Sequence, residues 1–204
     1  MGIGPATGFC GDKLHKMENG ALIVDRHGRT SNPDIFAAGD YTLVYHKILE
    51  KNVYFPLGSL ANKMGRIAGL NMVEKTISFP GIVGTQIFKF FKLSLAKTGL
   101  SLEEAEKHGI KVETFSAQRL DKAGYYPGAG KVNVEIVMDK DTSILIGAST
   151  ICEGNAAQFI YPAALAVSTG TKVRDIAWFD AAYAPPYAPV WNVLISAALK
   201  ATNI

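Results

Sequence analysis

The sequence predicts an α/β protein of the α+β kind, and three observations carry that expectation. Strand-like segments follow one another through the second half, with helical segments gathered after them. The first half sets a short apolar run against a helix dense in small residues. Finally, 48% of the 204 residues are hydrophobic and 19% are charged, the balance of a chain that buries a core. Runs of strands followed by runs of helices suit segregated layers better than a doubly wound sheet.

In chain order, Ala21 to Asp25 is expected as a short strand between Asn19-Gly20 and the turn at His27-Gly28. Thr30 to Asp34 is a turn cluster, because Pro33 fixes its own φ and pushes Asn32 to an extended conformation. Ile35 to Ala38 follows as a buried strand ending at Gly39-Asp40, and Pro56 introduces a helix from Gly58 to Met72. Gly58, Ser59, Ala61, Gly65, Ala68 and Gly69 suit that helix to close approach by a neighbour or a ligand. Their poor helix propensity means that packing must hold it.

Composition changes at Ile77 to Gly81, so the domains are expected over 1–76 and 77–204. Ile82 to Lys97 reads as one or two strands. Ser101 and Glu104 form a capping box that opens a short helix closed by Gly109. Lys111 to Phe115 is a strand. Val132, Val134, Ile136 and Met138 alternate with Asn133, Glu135 and Val137 as a half-buried one. The turn Asp139 to Thr142 leads into Ile144 to Ile151, expected to pair antiparallel with it. Asn155 caps a helix running to about Ser168 and stopped by Gly170, Thr171 to Ala177 forms a second, and Pro189 to Ala201 a third.

Several function classes fit poorly. The net charge is only +3 and the basic residues are scattered, with no basic stretch interleaved with stacking aromatics, so nucleic acid is not an expected partner. No apolar stretch approaches the length of a membrane span, and the N-terminus lacks the basic-then-apolar order of a signal peptide. Cys10 and Cys152 stand far apart with no metal-ligand spacing, so no metal is expected and a reduced, cytoplasmic setting is the default. Both cysteines read as small buried hydrophobes. Gly2-Ile3-Gly4-Pro5-Ala6-Thr7-Gly8 imitates a dinucleotide fingerprint, but it has an extra residue before the last glycine, a proline where the helix should start and no preceding strand. It reads as a loop.

Chemistry concentrates at Phe36-Ala37-Ala38-Gly39-Asp40. A carboxylate just past a strand end stands where ligands bind in open α/β sheets, Gly39 removes a blocking side chain, and Asp40 can accept hydrogen bonds from sugar-like hydroxyls. Gly-Asp also ends ordinary strands. The helix starting at Pro56-Leu57-Gly58 adds an amide-rich terminus suited to negative charge, such as that of a flavin's pyrimidine edge, although such a helix can equally just pack on a sheet. His46 and Lys47 read as solvated or phosphate-adjacent loop residues.

Taken together, Thr30-Ser31-Asn32-Pro33-Asp34-Ile35-Phe36-Ala37-Ala38-Gly39-Asp40 resembles the second FAD motif of the pyridine nucleotide-disulfide oxidoreductases. Pro56-Leu57-Gly58 with Ala61, Gly65, Arg66 and Gly69 resembles the following helix in the NADH oxidase and coenzyme A-disulfide reductase branch. Gly124-Tyr125-Tyr126-Pro127-Gly128 and Ala182-Tyr183-Ala184-Pro185-Pro186-Tyr187 are similar to that branch's dimerisation domain. The resemblance implies the tail of an FAD-binding domain followed by an α+β dimerisation domain. It implies FAD as cofactor, NAD(P)H as co-substrate, a homodimer, and a small disulfide, persulfide or oxygen as electron acceptor.

By the same resemblance, Asp40 binds the ribitol of FAD with Gly39 allowing the approach, while Pro56, Leu57 and Gly58 present the amide terminus to the ring. Tyr125 and Tyr183 match tyrosines that reach the partner subunit's active site and assist thiol chemistry. A phenol with an ordinary pKa of about 10 can donate to a developing thiolate or peroxide oxygen but is a poor base at neutral pH. Each tyrosine could instead be a loop anchor, its hydroxyl tied to a carbonyl, and Tyr126 and Tyr187 read as structural. The branch that uses a histidine near its C-terminus fits badly, since the last histidine here is His108.

The chain departs from the family pattern in lacking the first FAD fingerprint, the NADH fingerprint and the early redox cysteine. It is therefore expected to be inactive alone, as the C-terminal portion of an oxidoreductase. The alternative is a catalytically inactive dimerisation module or truncated gene product, with Tyr183 to Tyr187 and the apolar tail Val190 to Ile195 as interface.

Overall fold

In a computed structural model, which describes residues 3–74 and 76–202, the chain divides into two compact units, Met1–Ile82 and Val83–Ile204. The α+β class is as expected from the sequence.

The first unit is mostly irregular. Gly2 of the false fingerprint lies outside the described residues; the stretch that follows forms no regular element before a single 3-10 turn, Gly8–Cys10. Two expected strands do not form. Ala21 to Asp25 is extended but makes only isolated bridges, Leu22 with Lys16 and with Thr42. Ile35 to Ala38 is bridged through Phe36 to Arg29 and is not buried, with Ile35 41% exposed. An apolar run becomes a buried strand only when partners flank it. Here the described neighbour is the other arm of its own hairpin, closed by Thr30 donating to Ile35 and Ala37 donating to Gly28.

The regular sheet lies elsewhere. β1 (Leu43–His46) and β2 (Lys51–Tyr54) pair antiparallel, with Leu43 opposite Tyr54 and His46 opposite Lys51. This corrects the loop reading of His46, which is 5% exposed within β1. Its Nδ1 accepts from the Leu49 amide at 3.3 Å. The helix α1 (Gly58–Met72) spans the expected residues. Its buried positions Leu60, Met64, Ala68 and Asn71 recur at helical spacing, and Leu60 and Met64 pack with Val24, Val44 and Phe79. Asn71 staples the helix end, donating from Nδ2 to the carbonyls of His27 and Ile77 and accepting from the Ile77 amide, each at 2.8 Å.

The second unit is a five-stranded antiparallel sheet of β3 (Gln86–Phe90), β4 (Leu93–Gly99), β5 (Val112–Leu120), β6 (Lys131–Asp139) and β7 (Leu145–Cys152), in the order β3-β4-β7-β6-β5. β5 runs five residues beyond the Phe115 at which the sequence reading ended it. β5, β6 and β7 form a meander. β4 pairs with β7, not β5, so the crossover must carry α2 (Leu102–Lys107), whose Ser101–Glu104 capping box forms in full. The Asp139 carboxylate makes the β6–β7 turn by accepting from the Asp141 and Thr142 amides.

Alternation then sorts the faces. Val132, Val134 and Ile136 are buried, while Lys131, Asn133 and Glu135 point away from them and are exposed. α3 (Ala157–Thr169) packs on β7 and β4, and α5 (Val193–Ala201) on β5 and β6; the short α4 (Val173–Ile176) packs on α5. Asn155 accepts from the Ala157 amide at the start of α3, and Gly170 takes the left-handed conformation at its end. α5 starts at Val193, four residues later than Pro189 predicted, because Asn192 caps it by accepting from the Leu194 amide at 2.8 Å. The apolar tail accordingly splits: Val190 and Trp191 are exposed, whereas Val193, Leu194 and Ile195 are core.

Candidate functional site

The first unit brings Gly39 and the start of α1 together. Gly39 has φ +90°, and a Cβ built there would stand 3.5 Å from the Ala61 Cβ, in the first turn of the helix. The loop carrying Asp40 thus runs against the helix terminus, with Asp40 exposed. Leu57 precedes the helix in an extended conformation (φ −140°, ψ 133°), and no side chain caps its terminus. The first amides of α1, beginning at Gly58, have no carbonyl one turn earlier to donate to. Pro56 carries no N–H and leads the chain in.

Close approach does occur on this helix, but at its alanines. Gly28, at φ +82°, would place a Cβ 3.1 Å from Ala68, whereas Gly58, Gly65 and Gly69 face open space. Tyr54, two residues before Pro56, has a buried hydroxyl with no partner among the described residues. Sequence reasoning missed it, since nothing in the local pattern marks a tyrosine on a short strand as polar and sequestered.

The second unit joins the two tyrosines. Tyr125 is 77% exposed and Tyr183 48% exposed, and their hydroxyls lie 3.2 Å apart. That is long for an O–H···O bond. The pairing replaces the loop-anchor reading, in which each hydroxyl would meet a carbonyl. The hydrogen bond to Tyr183 holds the Tyr125 phenol above its ordinary value, with desolvation and the charge of Tyr183 adding to it. The shift disfavours ionisation of Tyr125, and either hydroxyl of the pair can be the donor. Tyr126 and Tyr187 are also exposed, at 39% and 78%.

The cysteines differ. Cys152 is buried at the end of β7, and burial pushes its thiol up, reinforced by the Asp121 carboxylate and opposed by a hydrogen bond from the Gly154 backbone. Cys10 is half-buried and its thiol donates to the Thr7 carbonyl at 3.0 Å. His108 is the exposed C-cap of α2. Among the described residues no cluster of histidine, cysteine and carboxylate side chains could hold a metal ion, and no helix is long and apolar enough to cross a membrane.

The second unit is thus an antiparallel sheet backed by helices, with Tyr125 between β5 and β6 meeting Tyr183 between α4 and α5, and the first sets a helix terminus against a glycine–aspartate turn. Residues 85–193 match the pyridine nucleotide-disulphide oxidoreductase dimerisation domain. The chain belongs to the pyridine nucleotide-disulfide oxidoreductase family. It is 39% identical over 178 residues to an NAD(P)H sulfur oxidoreductase (CoA-dependent) of Pyrococcus furiosus, covering 87% of this chain and 40% of the relative. It is 31% identical over 194 residues to an NADH oxidase of Enterococcus faecalis, covering 95% of this chain and 44% of the relative. An NAD-dependent persulfide reductase from A. fulgidus superimposes with a TM-score of 0.95 at 33% identity, over 100% of this chain and 38% of the other. The chain therefore spans less than half the length of these relatives.

Proposed function

We propose that this chain is the C-terminal portion of an FAD-dependent NAD(P)H oxidoreductase whose acceptor is a small disulfide or persulfide, such as a coenzyme A adduct. The observation that carries the flavin assignment is Gly39 at φ +90° lying against the first turn of α1. This arrangement fits the group: the turn leaves Asp40 exposed beside an uncapped helix terminus, and a side chain larger than hydrogen at Gly39 would be strained there.

When bound, FAD would supply the two-electron step between NAD(P)H and the acceptor. Asp40 would accept hydrogen bonds from ribitol hydroxyls, while the Leu57 and Gly58 amides donate toward the pyrimidine edge. Tyr125, hydrogen-bonded to Tyr183, would donate from its Oη to developing negative charge on the acceptor sulfur, acting across a homodimer. Sulfur is preferred to oxygen because identity is higher to the sulfur oxidoreductase than to the NADH oxidase. The domains would divide between residues 76 and 83, and the enzyme would work in the cytoplasm.

Hydride transfer requires flavin and nicotinamide held face to face. With the two nucleotide fingerprints and the redox cysteine absent from this sequence, the chain alone is expected to turn over no NADH. In the full-length protein, Asp40→Ala should lower flavin content, read from visible absorbance, with folding retained. Unchanged flavin content would refute the site, and robust NADH consumption by the 204-residue chain would refute the fragment reading.

A second reading, an inactive self-associating module, is favoured by one observation: Tyr161, Leu165, Trp178, Tyr187, Val190 and Trp191 are large apolar residues at least half exposed on the second unit. A colourless dimer in sedimentation would support it. A monomer at micromolar concentration would count against both readings.

A further inference from the structure

We propose that Asp121 is the positioning residue of the tyrosine pair, setting Tyr125 against Tyr183 by closing the neck of the loop 121–130. The inference rests on the functional reading above. The register of β5 and β6 ends at Leu120 opposite Lys131. One further rung is then built between Asp121 and Gly130, and it is unusual in kind. The Asp121 amide donates to the Gly130 carbonyl at 2.9 Å, as a ladder would, but the Gly130 amide donates to the Asp121 side chain, at Oδ1, also at 2.9 Å. A carboxylate replaces the backbone acceptor, so the chain can leave the ladder while its neck stays closed.

From this neck the loop is carried to its partner. Tyr126 donates to the Ala123 carbonyl at 2.8 Å, a turn with Gly124 and Tyr125 at its centre, and the Ala123 amide donates to the Pro185 carbonyl at 3.2 Å. That second bond ties the Tyr125 turn to the segment holding Tyr183, whose own turn is closed by Tyr187 and Ala188 donating to Ala184. The remaining oxygen of Asp121, Oδ2, lies 3.5 Å from where a Cβ on Gly154 would stand and 3.9 Å from one on Gly130. Both distances are ordinary van der Waals contact, so the carboxylate packs closely against Gly130 and Gly154. Among the described residues the side chains of this loop that hydrogen-bond are those of Asp121 and Tyr125, so the placement of Tyr125 depends on Asp121 and on the Ala123–Pro185 link.

A carboxylate at a strand end could merely stabilise the sheet, and the test must separate the two roles. The probe is the phenol titration of Tyr125, followed by NMR of ring-labelled tyrosine in the 204-residue chain, with Tyr125→Phe for assignment and Tyr183→Phe to show where Tyr125 titrates unpaired. Asp121→Ala should move the Tyr125 midpoint down to its value in Tyr183→Phe. Asp121→Asn, which keeps an oxygen for the Gly130 amide, should leave it where the parent has it. The proposal is overturned if Asp121→Ala leaves the midpoint at the parent value, or if Asp121→Asn moves it as far as Asp121→Ala does. Should the alanine variant not fold, Asp121→Val, which also lacks an acceptor, takes its place under the same two criteria. The titration needs neither flavin nor turnover, so failure of the oxidoreductase reading would show in flavin content and activity and leave this result standing.

Discussion

The two units solve the problem of presenting a reactive group differently. In the second, a regular sheet carries Tyr125 on the loop between β5 and β6, and Tyr183 from the connection between α4 and α5 completes the candidate site. In the first, there is little sheet to build on, and the candidate site is made of backbone: a left-handed glycine, an uncapped helix start and one exposed carboxylate. A side-chain site tolerates changes in the framework as long as the loops keep their shape. A backbone site is only as good as the packing that places the helix, so the first unit should be the more sensitive to its few polar staples.

The largest expected effect tests the framework of the second unit. At the crossing of β4 and β7, a Cβ on Gly147 would fall 1.9 Å from the Leu100 carbonyl oxygen, and backbone cannot yield as a side chain can. Gly147→Ala should therefore cost on the order of 4 kcal/mol or more, read as loss of the denaturant transition of this unit. A fully stable variant would break the picture of a sheet fixed at that crossing.

Next comes the staple of the first unit. Asn71→Ala removes three hydrogen bonds from a side chain 6% exposed and strands two carbonyls and an amide. A loss of about 2–3 kcal/mol is expected. If the units differ as argued, the loss falls on the first unit's transition and on flavin retention in the full-length protein, leaving the Tyr125–Tyr183 pair unchanged by NMR.

The smallest effect concerns the α2 cap. Ser101→Ala should cost about 1 kcal/mol. Burial raises the Glu104 carboxyl, but hydrogen bonds from Lys97 and Ser101 outweigh it and leave the group below its ordinary 4.5. A depressed carboxylate contributes stability that is present above 4.5 and lost as pH falls through its folded value. Because the Glu104 side chain is 48% exposed, the contribution should be no more than a few tenths of a kcal/mol. Acid unfolding of Glu104→Gln should thus show a slightly flatter dependence below pH 4.5 than the parent, and an identical slope would remove Glu104 from the account.

What was legible in the sequence was what neighbours in sequence decide. The capping box at Ser101, the Asp139 turn, the alternation in β6, the left-handed stop at Gly170 and the whole span of α1 depend on residues within a few positions of one another. The apolar runs at Ala21 and Ile35 misled because an apolar run shows strand propensity but not a ladder partner: they make only isolated bridges, and the regular pairing of this unit is the β1–β2 hairpin. The start of α5 was misplaced because proline only permits a helix to begin, while Asn192 supplies the acceptor that starts this one.

By itself the sequence determined the α+β class and singled out Gly39, Asp40, the start of α1 and the two tyrosines as candidates, because side-chain chemistry and local backbone preference travel with the chain. Only the tertiary structure decided that Gly39 lies against Ala61, that the Tyr125 and Tyr183 hydroxyls meet 58 positions apart, and that Asp121 closes the loop between β5 and β6. Those contacts join segments distant in sequence. Which distant segments meet is set by the packing of helices on sheet and not by any local pattern.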